Sequence, residues 1–305
     1  MVVDWPDNWQ GRFDTTNARL RVTVYNPTVA YQVTPGFSVA AGIRIADAGA
    51  EFEQKFAVPA LGIPESKVRV HDLEAHPIGW NVGLLYHLKE ISTSVGLQFR
   101  SELQAKFNGD ADFTGPAAPP TGPFANTGFH TSIKFPPQLI LGVSTKAIPR
   151  WTINADIEWE GWKTVGSIPK DFETTAGSMV PQSNLNQRGL RNWKNSYVFR
   201  LGAEYAATDR LALRGGFFYD QTPIPDNTFD PTIPNADLYA LTGGAGYRWG
   251  ATSVDIAYLL GFYEKRAINA SSIDPTLTGA TGGPQAFGSF STMAQVLVLS
   301  VTHRF

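Results

Sequence analysis

Asp156, Glu158 and Glu160 recur at every second position of Trp151-Thr152-Ile153-Asn154-Ala155-Asp156-Ile157-Glu158-Trp159-Glu160, so a strand there carries all three carboxylates on one face. Carboxylates grouped in this way could act as general acid and base. Their opposite face is Trp151, Ile153, Ala155, Ile157 and Trp159, however, and a strand between water and lipid needs that same division. Charge lining a lumen is therefore the better reading. The histidines, His71, His76, His87, His130 and His303, show neither an H-E-x-x-H run nor an i, i+4 pair, which argues against a metal site. Asp110 and Asp112 near a loop could touch calcium, but two carboxylates fall short of a calcium cage. Gly243-Gly244-Ala245-Gly246 has no helix after it, so close backbone approach inside a strand explains it better than a phosphate loop. No catalytic residue, metal or cofactor is expected, and the chain is not read as an enzyme.

The strand that must position the three carboxylates is long for a soluble sheet, whose strands usually have about 5–6 residues. It matches the roughly 9–11 residues with which a tilted strand crosses a bilayer, and it has tryptophan at both ends of its apolar face, as the water–lipid boundary favours. The 305 residues carry a formal net charge of -2, which gives no electrostatic argument for nucleic acid. Cysteine is absent, so disulfides and thiolate metal sites are excluded. Mean hydropathy is -0.15 and no long apolar run exists, which excludes transmembrane helices but not a barrel, whose apolar residues are hidden by alternation. Met1-Val2-Val3-Asp4-Trp5-Pro6 has neither the basic head nor the apolar core of a secretory signal.

Residues 1–19, with Trp5, Pro6 and Trp9, read as a loop. About eleven alternating segments follow, at 20–33, 37–56, 72–89, 93–113, 127–146, 151–167, 193–207, 211–222, 238–249, 252–267 and 291–305. Their connections alternate strictly between short (34–36, 90–92, 147–150, 208–210, 250–251) and long (57–71, 114–126, 168–192, 223–237, 268–290). That rhythm is the mark of an all-β, antiparallel transmembrane barrel with tight turns on one rim and excursions on the other. In the last segment Met293, Leu297, Leu299, Val301 and Phe305 share a face. A closing phenylalanine there resembles the insertion signal of outer-membrane barrels and points to the barrel-assembly machinery as a partner. Parity turns Arg100 and Glu102, Asp156 and Glu158, Arg200 and Glu204, and Arg214 toward the lumen, with Gln98, Asp220 and Asp255. Both signs of charge suit a cross-paired, partly plugged lumen better than a single-sign filter.

Several motifs occur in one order along the chain. They are Asn26-Pro27 with Ala30-Tyr31, Gly79-Trp80-Asn81-Val82-Gly83 with Tyr86, Phe135-Pro136-Pro137-Gln138, Trp151-Thr152-Ile153, Trp159-Glu160-Gly161-Trp162, Trp193-Lys194-Asn195-Ser196-Tyr197 with Arg200-Leu201-Gly202, and Asp220-Gln221-Thr222-Pro223-Ile224-Pro225. Together they resemble the FadL/TodX family. The resemblance implies an outer-membrane barrel of about fourteen strands in a Gram-negative bacterium, admitting long-chain fatty acids or other hydrophobic molecules. Against that pattern, residues 1–305 form a single, incomplete barrel domain that lacks the N-terminal hatch and the first three strands. Parity agrees, since closing eleven strands would pair the first and last in parallel. The fragment alone is not expected to transport.

The resemblance also implies where substrate binds. An external apolar groove would fall on the loops at 57–71 and 114–126, with Leu61, Ile63, Phe113 and Phe124; alternatively these side chains pack their own loops. A deeper site would need a cation for a carboxylate headgroup, and Lys55 with Arg188 or Arg191 stand at matching positions; alternatively they are solvated loop charges. The expected partners are hydrophobic small molecules and outer-membrane lipid, for a monomer that binds no nucleic acid. Passive uptake of fatty acids is the leading reading. A general porin or structural outer-membrane barrel, and a soluble β-rich binding protein, remain the rivals.

Overall fold

A computed structural model describes residues 1–59, 62–118, 120, 122–174, 178–269 and 287–304. Its strands are β1 (Val2–Asp4), β2 (Asn17–Tyr25), β3 (Thr28–Thr34), β4 (Phe37–Val58), β5 (Ile63–Ala75), β6 (Ile78–Leu88), β7 (Thr93–Arg100), β8 (Leu103–Thr114), β9 (Thr127–Phe135), β10 (Gln138–Thr145), β11 (Trp151–Glu160), β12 (Asp171–Phe172), β13 (Ser196–Ala206), β14 (Leu211–Asp220), β15 (Leu238–Trp249), β16 (Thr252–Tyr263), β17 (Arg266–Ile268), β18 (Gly288–Phe290) and β19 (Met293–His303). Several of these are halves of one stave. β2 and β3 both pair with the uninterrupted β4, and on its other flank β4 pairs with both β5 and β6. The halves meet at Asn26-Pro27, His76-Pro77 and Pro136-Pro137, where proline has no N–H for the ladder, and at Ser101-Glu102.

Counted this way the wall has eleven antiparallel staves: β2–β3, β4, β5–β6, β7–β8, β9–β10, β11, β13, β14, β15, β16 and β19, each paired with the next. The segments expected from sequence correspond to them one for one. β19 pairs with β16 on one flank, and among the described residues neither its other flank nor that of β3 pairs with another strand. The stretch at 1–19 is not all loop: β1 pairs antiparallel with Asn17–Arg19, and Val3 and Phe13 are buried. The connection expected at 57–71 shrinks to residues 59–62, because β4 runs on to Val58 and β5 begins at Ile63. Phe305 and Leu61 lie outside the described residues.

The staves fall into two classes of length. β11, β13, β14, β15, β16 and β19 have 10 to 12 residues, enough to cross a bilayer and no more. β4 has 22, and at about 3.3 Å per residue it reaches roughly 70 Å, so half of it must stand beyond the hydrocarbon. The faces obey this limit. In the turn-end half of β4, Ile43 and Ile45 point outward and are 54% and 43% exposed. In the far half the outward positions are Asp47, Glu51, Glu53 and Lys55, while Ala46, Ala48, Gln54 and Phe56 are buried inside. The same inversion occurs between β7, with outward Leu97 and Phe99, and β8, with buried Ala105, Phe107, Ala111 and Phe113, because the break at Ser101-Glu102 flips the parity.

An apolar belt thus encircles the turn-end half, from Trp80, Val82 and Leu84 through Leu139 and Leu141 to Leu297, Leu299 and Val301, all exposed. Trp151 with Tyr205 and Tyr247 with Trp249 form outward aromatic pairs at its turn-side edge, at ring-centroid distances of 4.9 and 5.8 Å. Above the belt the wall extends on one side only, and its inner face is filled by phenylalanine. The turns themselves need left-handed backbone at Ser92, Arg150 and Gly250, and only the last is free of a Cβ.

Candidate functional site

The outer extension is built around a cluster of aromatic rings. Phe52 and Phe56 come from β4, Phe107 and Phe113 from β8 and Phe129 from β9. Two more rings come from the excursions: Phe124 from the connection between β8 and β9, and Phe172 from β12. Phe113 and Phe124 stack at 5.4 Å, Phe129 and Phe172 meet edge to face at 4.9 Å, and Phe56 reaches Phe113 at 5.7 Å. β12 is held in place by its pairing with β9, Asp171 opposite His130 and Phe172 opposite Phe129.

A cation borders this apolar volume. Lys170, two residues before Phe172, donates from Nζ to Gln54 Oε1 at 2.5 Å and stands 5.1 Å from the centre of the Phe52 ring. Among the described residues no carboxylate oxygen lies within 4.0 Å of it. Burial pushes the Lys170 amine below its ordinary range, opposed by the charge of Asp230. Behind it Arg191 holds Asp230 at 2.8 Å, and the N–H of Thr232 donates to Asp230 Oδ1 at 2.8 Å. Burial would raise the Asp230 carboxyl, but Arg191 and Lys170 outweigh it and hold the group below its ordinary value.

Lower in the wall, the face opposite the belt carries crossed ion pairs. Arg200 donates to Asp156 and to Glu158, both at 2.7 Å, and Glu158 is 4% exposed. Arg214 donates to Glu204 at 2.7 Å and Asp255 at 2.5 Å. Arg100 reaches Gln138 at 3.4 Å, and Glu160 accepts from Gln138 and from the Trp162 indole. The carboxylates that suggested acid–base chemistry are thus ion-paired or hydrogen-bonded to neighbours along the wall, and no group of three or more His, Asp or Glu among the described residues is placed to hold a metal ion. Gly244 sits where a Cβ would lie 2.7 Å from the Ile256 carbonyl, which accounts for one glycine of the Gly243-Gly244-Ala245-Gly246 run by close strand approach.

Other residues expected at the site fall elsewhere. Ile63, Phe113 and Phe124 do come together, but as members of a packed core at 6%, 3% and 1% exposure and not as an open groove. Ile63 begins a strand and belongs to no loop. Lys55 occupies an outward position on β4, with Nζ 4.0 Å from Glu65, and so turns away from the rings. Arg188 is exposed, and Arg191 is engaged with Asp230. Glu102 lies past the parity flip, 3.7 Å from Lys134, whose strand turns Ile133 and Phe135 inward. Gln54 had a signal in the sequence: after Ile43 and Ile45 the apolar residues switch to the opposite face of the strand, Ala46, Ala48, Ala50, Phe52 and Phe56, and Gln54 stands among them; Lys170 had none.

The family described as outer membrane protein transport protein (OMPP1/FadL/TodX) matches residues 1–305. A long-chain fatty acid transport protein of Salmonella typhi is 22% identical over 289 residues, 86% of this chain and 64% of that protein. The chain therefore spans less than two-thirds of that relative's length. Among solved structures, a Pseudomonas aeruginosa FadL homologue superposes with a TM-score of 0.84 at 21% identity, over 99% of this chain and 72% of that one. The Pseudomonas putida toluene transporter TodX does so with a TM-score of 0.69 at 17% identity, over 99% and 74%. At these identities the likenesses carry the fold alone.

Proposed function

Because the chain belongs to the outer membrane protein transport protein family (OMPP1/FadL/TodX), we propose that it forms the wall and binding site of an outer-membrane channel for passive uptake of hydrophobic molecules, long-chain fatty acids foremost. One observation carries this reading: the inversion of polarity along the staves. Outside the membrane the wall turns charge to water and phenylalanine inward, and at the belt it turns leucine, valine and tryptophan to lipid. An apolar solute is thereby offered a dry interior above the membrane and an apolar phase at the level below. Phe124 and Phe172 fill that interior from the excursions, so a ligand lodges by displacing side chains of the chain's own loops. From there it leaves sideways into the membrane, down its own gradient.

Lys170 favours a fatty acid over an uncharged hydrocarbon. A desolvated ammonium whose side-chain partner is the neutral Gln54 is placed to bind a carboxylate at the edge of the rings. The porin alternative is disfavoured by the ion pairs of Arg200 and Arg214, which tie β11 to β13, β13 to β14 and, over β15, β14 to β16 on the inner face.

The test uses the 305-residue chain refolded in detergent and in proteoliposomes. Saturable oleate binding, read by displacement of a fluorescent fatty acid, without permeation of arabinose is the expected result. Arabinose permeation without saturable oleate binding would replace the reading by that of a general porin.

A further inference from the structure

The turn end of the wall holds a second charged site, which uptake through the aromatic cluster does not use. A cavity of about 690 Å³ opens there, within the range of small-molecule sites. Lys146, Arg210, Arg248 and Arg304 line it, together with Arg214 and the carboxylates Glu204, Asp209 and Asp255, so cations outnumber carboxylates there. The four cations come from far-apart stretches of sequence: the end of β10, the turn between β13 and β14, β15, and the residue after β19. They meet because Lys146, Arg248 and Arg304 all continue the even-numbered, inward face of their strands, opposite Val143, Tyr247 and Val301.

The charge balance of this cavity differs from that of the far end of the wall. There Arg19, Lys67, Arg69 and Arg266 each have a carboxylate within 4.0 Å. At the turn end Arg214 is neutralised by Glu204 and Asp255. Arg248 donates to the backbone carbonyl of Asp209 at 3.1 Å. For Lys146, Arg210, Arg248 and Arg304, no carboxylate lies within 4.0 Å among the described residues. Like charges held together around a concave surface raise the local potential and concentrate anions. Guanidinium groups add a planar fork that fits two oxygens of one carboxylate or phosphate.

We propose that this turn-end cavity is an anion site that binds an oxyanion, carboxylate or phosphate, through Lys146, Arg210, Arg248 and Arg304. It lies on the inner face at the opposite end of the wall from Lys170, and it stands independently of the uptake reading. The oxyanion is either free in solution or the headgroup of an amphiphile.

The test is calorimetric titration of the refolded chain, in a neutral detergent at low salt, with inorganic phosphate, decyl phosphate, decanoate and decanol. Binding of phosphate, decyl phosphate or decanoate but not decanol is expected, weakening about tenfold or more as ionic strength rises from about 0.02 M to about 0.5 M. The variant R210Q/R304Q is expected to lose about tenfold or more for every anion. Tighter binding of decyl phosphate than of inorganic phosphate identifies an amphiphile headgroup; equal binding identifies a free oxyanion. No anion binding by the unmodified chain, salt-independent binding, or R210Q/R304Q that migrates as a folded barrel and binds as before would each overturn the proposal.

Discussion

Lys170→Met separates charge from shape at the aromatic cluster. The unbranched methionine stem still covers Phe52, while the ammonium and its bond to Gln54 are lost. The cost to stability is small, because Asp230 keeps Arg191 at 2.8 Å and the group left without its donor is a single amide oxygen. A net change within about 1–2 kcal/mol follows. The cost to carboxylate binding is larger. A hydrogen bond to a charged group is worth about 1.5–3 kcal/mol, so oleate should bind roughly ten- to a hundredfold more weakly. Oleyl alcohol and toluene, which carry no charge, should change by less than about twofold. Competition titration of all three ligands against a fluorescent fatty acid supplies the comparison. The sign of the pH dependence is also determined. Since burial lowers the Lys170 amine, oleate binding declines as pH rises through that lowered value, whereas Lys170→Arg stays charged and flat. Equal weakening of all three ligands would mean that Lys170 only packs, and undiminished oleate binding would remove it from the site.

Other consequences are open to direct measurement. Phe129→Ala empties a position of 0% exposure between Phe52 and Phe172 and should cost about 3–5 kcal/mol, read from urea unfolding in vesicles. Leu141→Arg puts a charge in the apolar belt and should cost about 2–4 kcal/mol, whereas Gln104→Arg, on the water-facing side of β8, should stay within about 0.5 kcal/mol. Arg200→Gln leaves Glu158, whose side chain is 6% exposed, without its cation. About 3 kcal/mol should be lost, the lower end for a buried pair because Arg200 is itself half-exposed, and adding Glu158→Gln should recover most of it. His71 is clamped by Asp72 at 2.8 Å and Asp112 at 3.0 Å, with Asp110 opposite and Arg69 two residues along. The Asp72 bond foremost, with Asp112, raises its pKa above 6.5 against the effect of burial, so the clamp is complete below that value and is lost as pH rises through the raised one. Amide protection in β5 and β8, taken relative to the base-catalysed exchange of an unstructured peptide, should therefore fall as pH rises through that raised value, and His71→Gln should remove the fall.

Parity was enough to order the wall. Trp151 and Ala155 are exposed where alternation put them, Glu158 is buried on the other face, and the short turns stand where the alternating rhythm placed them. Parity failed where the chain breaks step. At Ser101-Glu102 and Pro136-Pro137 a stave changes which of its residues face outward, so Glu102 meets Lys134 on the outside and Leu103 turns in. Alternation has a period of two but no direction, and it cannot tell lipid outside from packing inside. Lys55, which the resemblance places at the deeper site, lies on the water-facing side beside Glu65.

The period-two pattern and the spacing of turns are local properties, written residue by residue in backbone geometry, and they define a barrel stave before any contact forms. What fills the barrel is not local. Gln54 and Lys170 are 116 positions apart and touch only because eleven staves bring β4 under the excursion that carries β12. Lys146 and Arg304 share a cavity only once β10 and β19 stand in one wall. Such long-range encounters depend on the register of every stave between them, and no window of sequence holds that information.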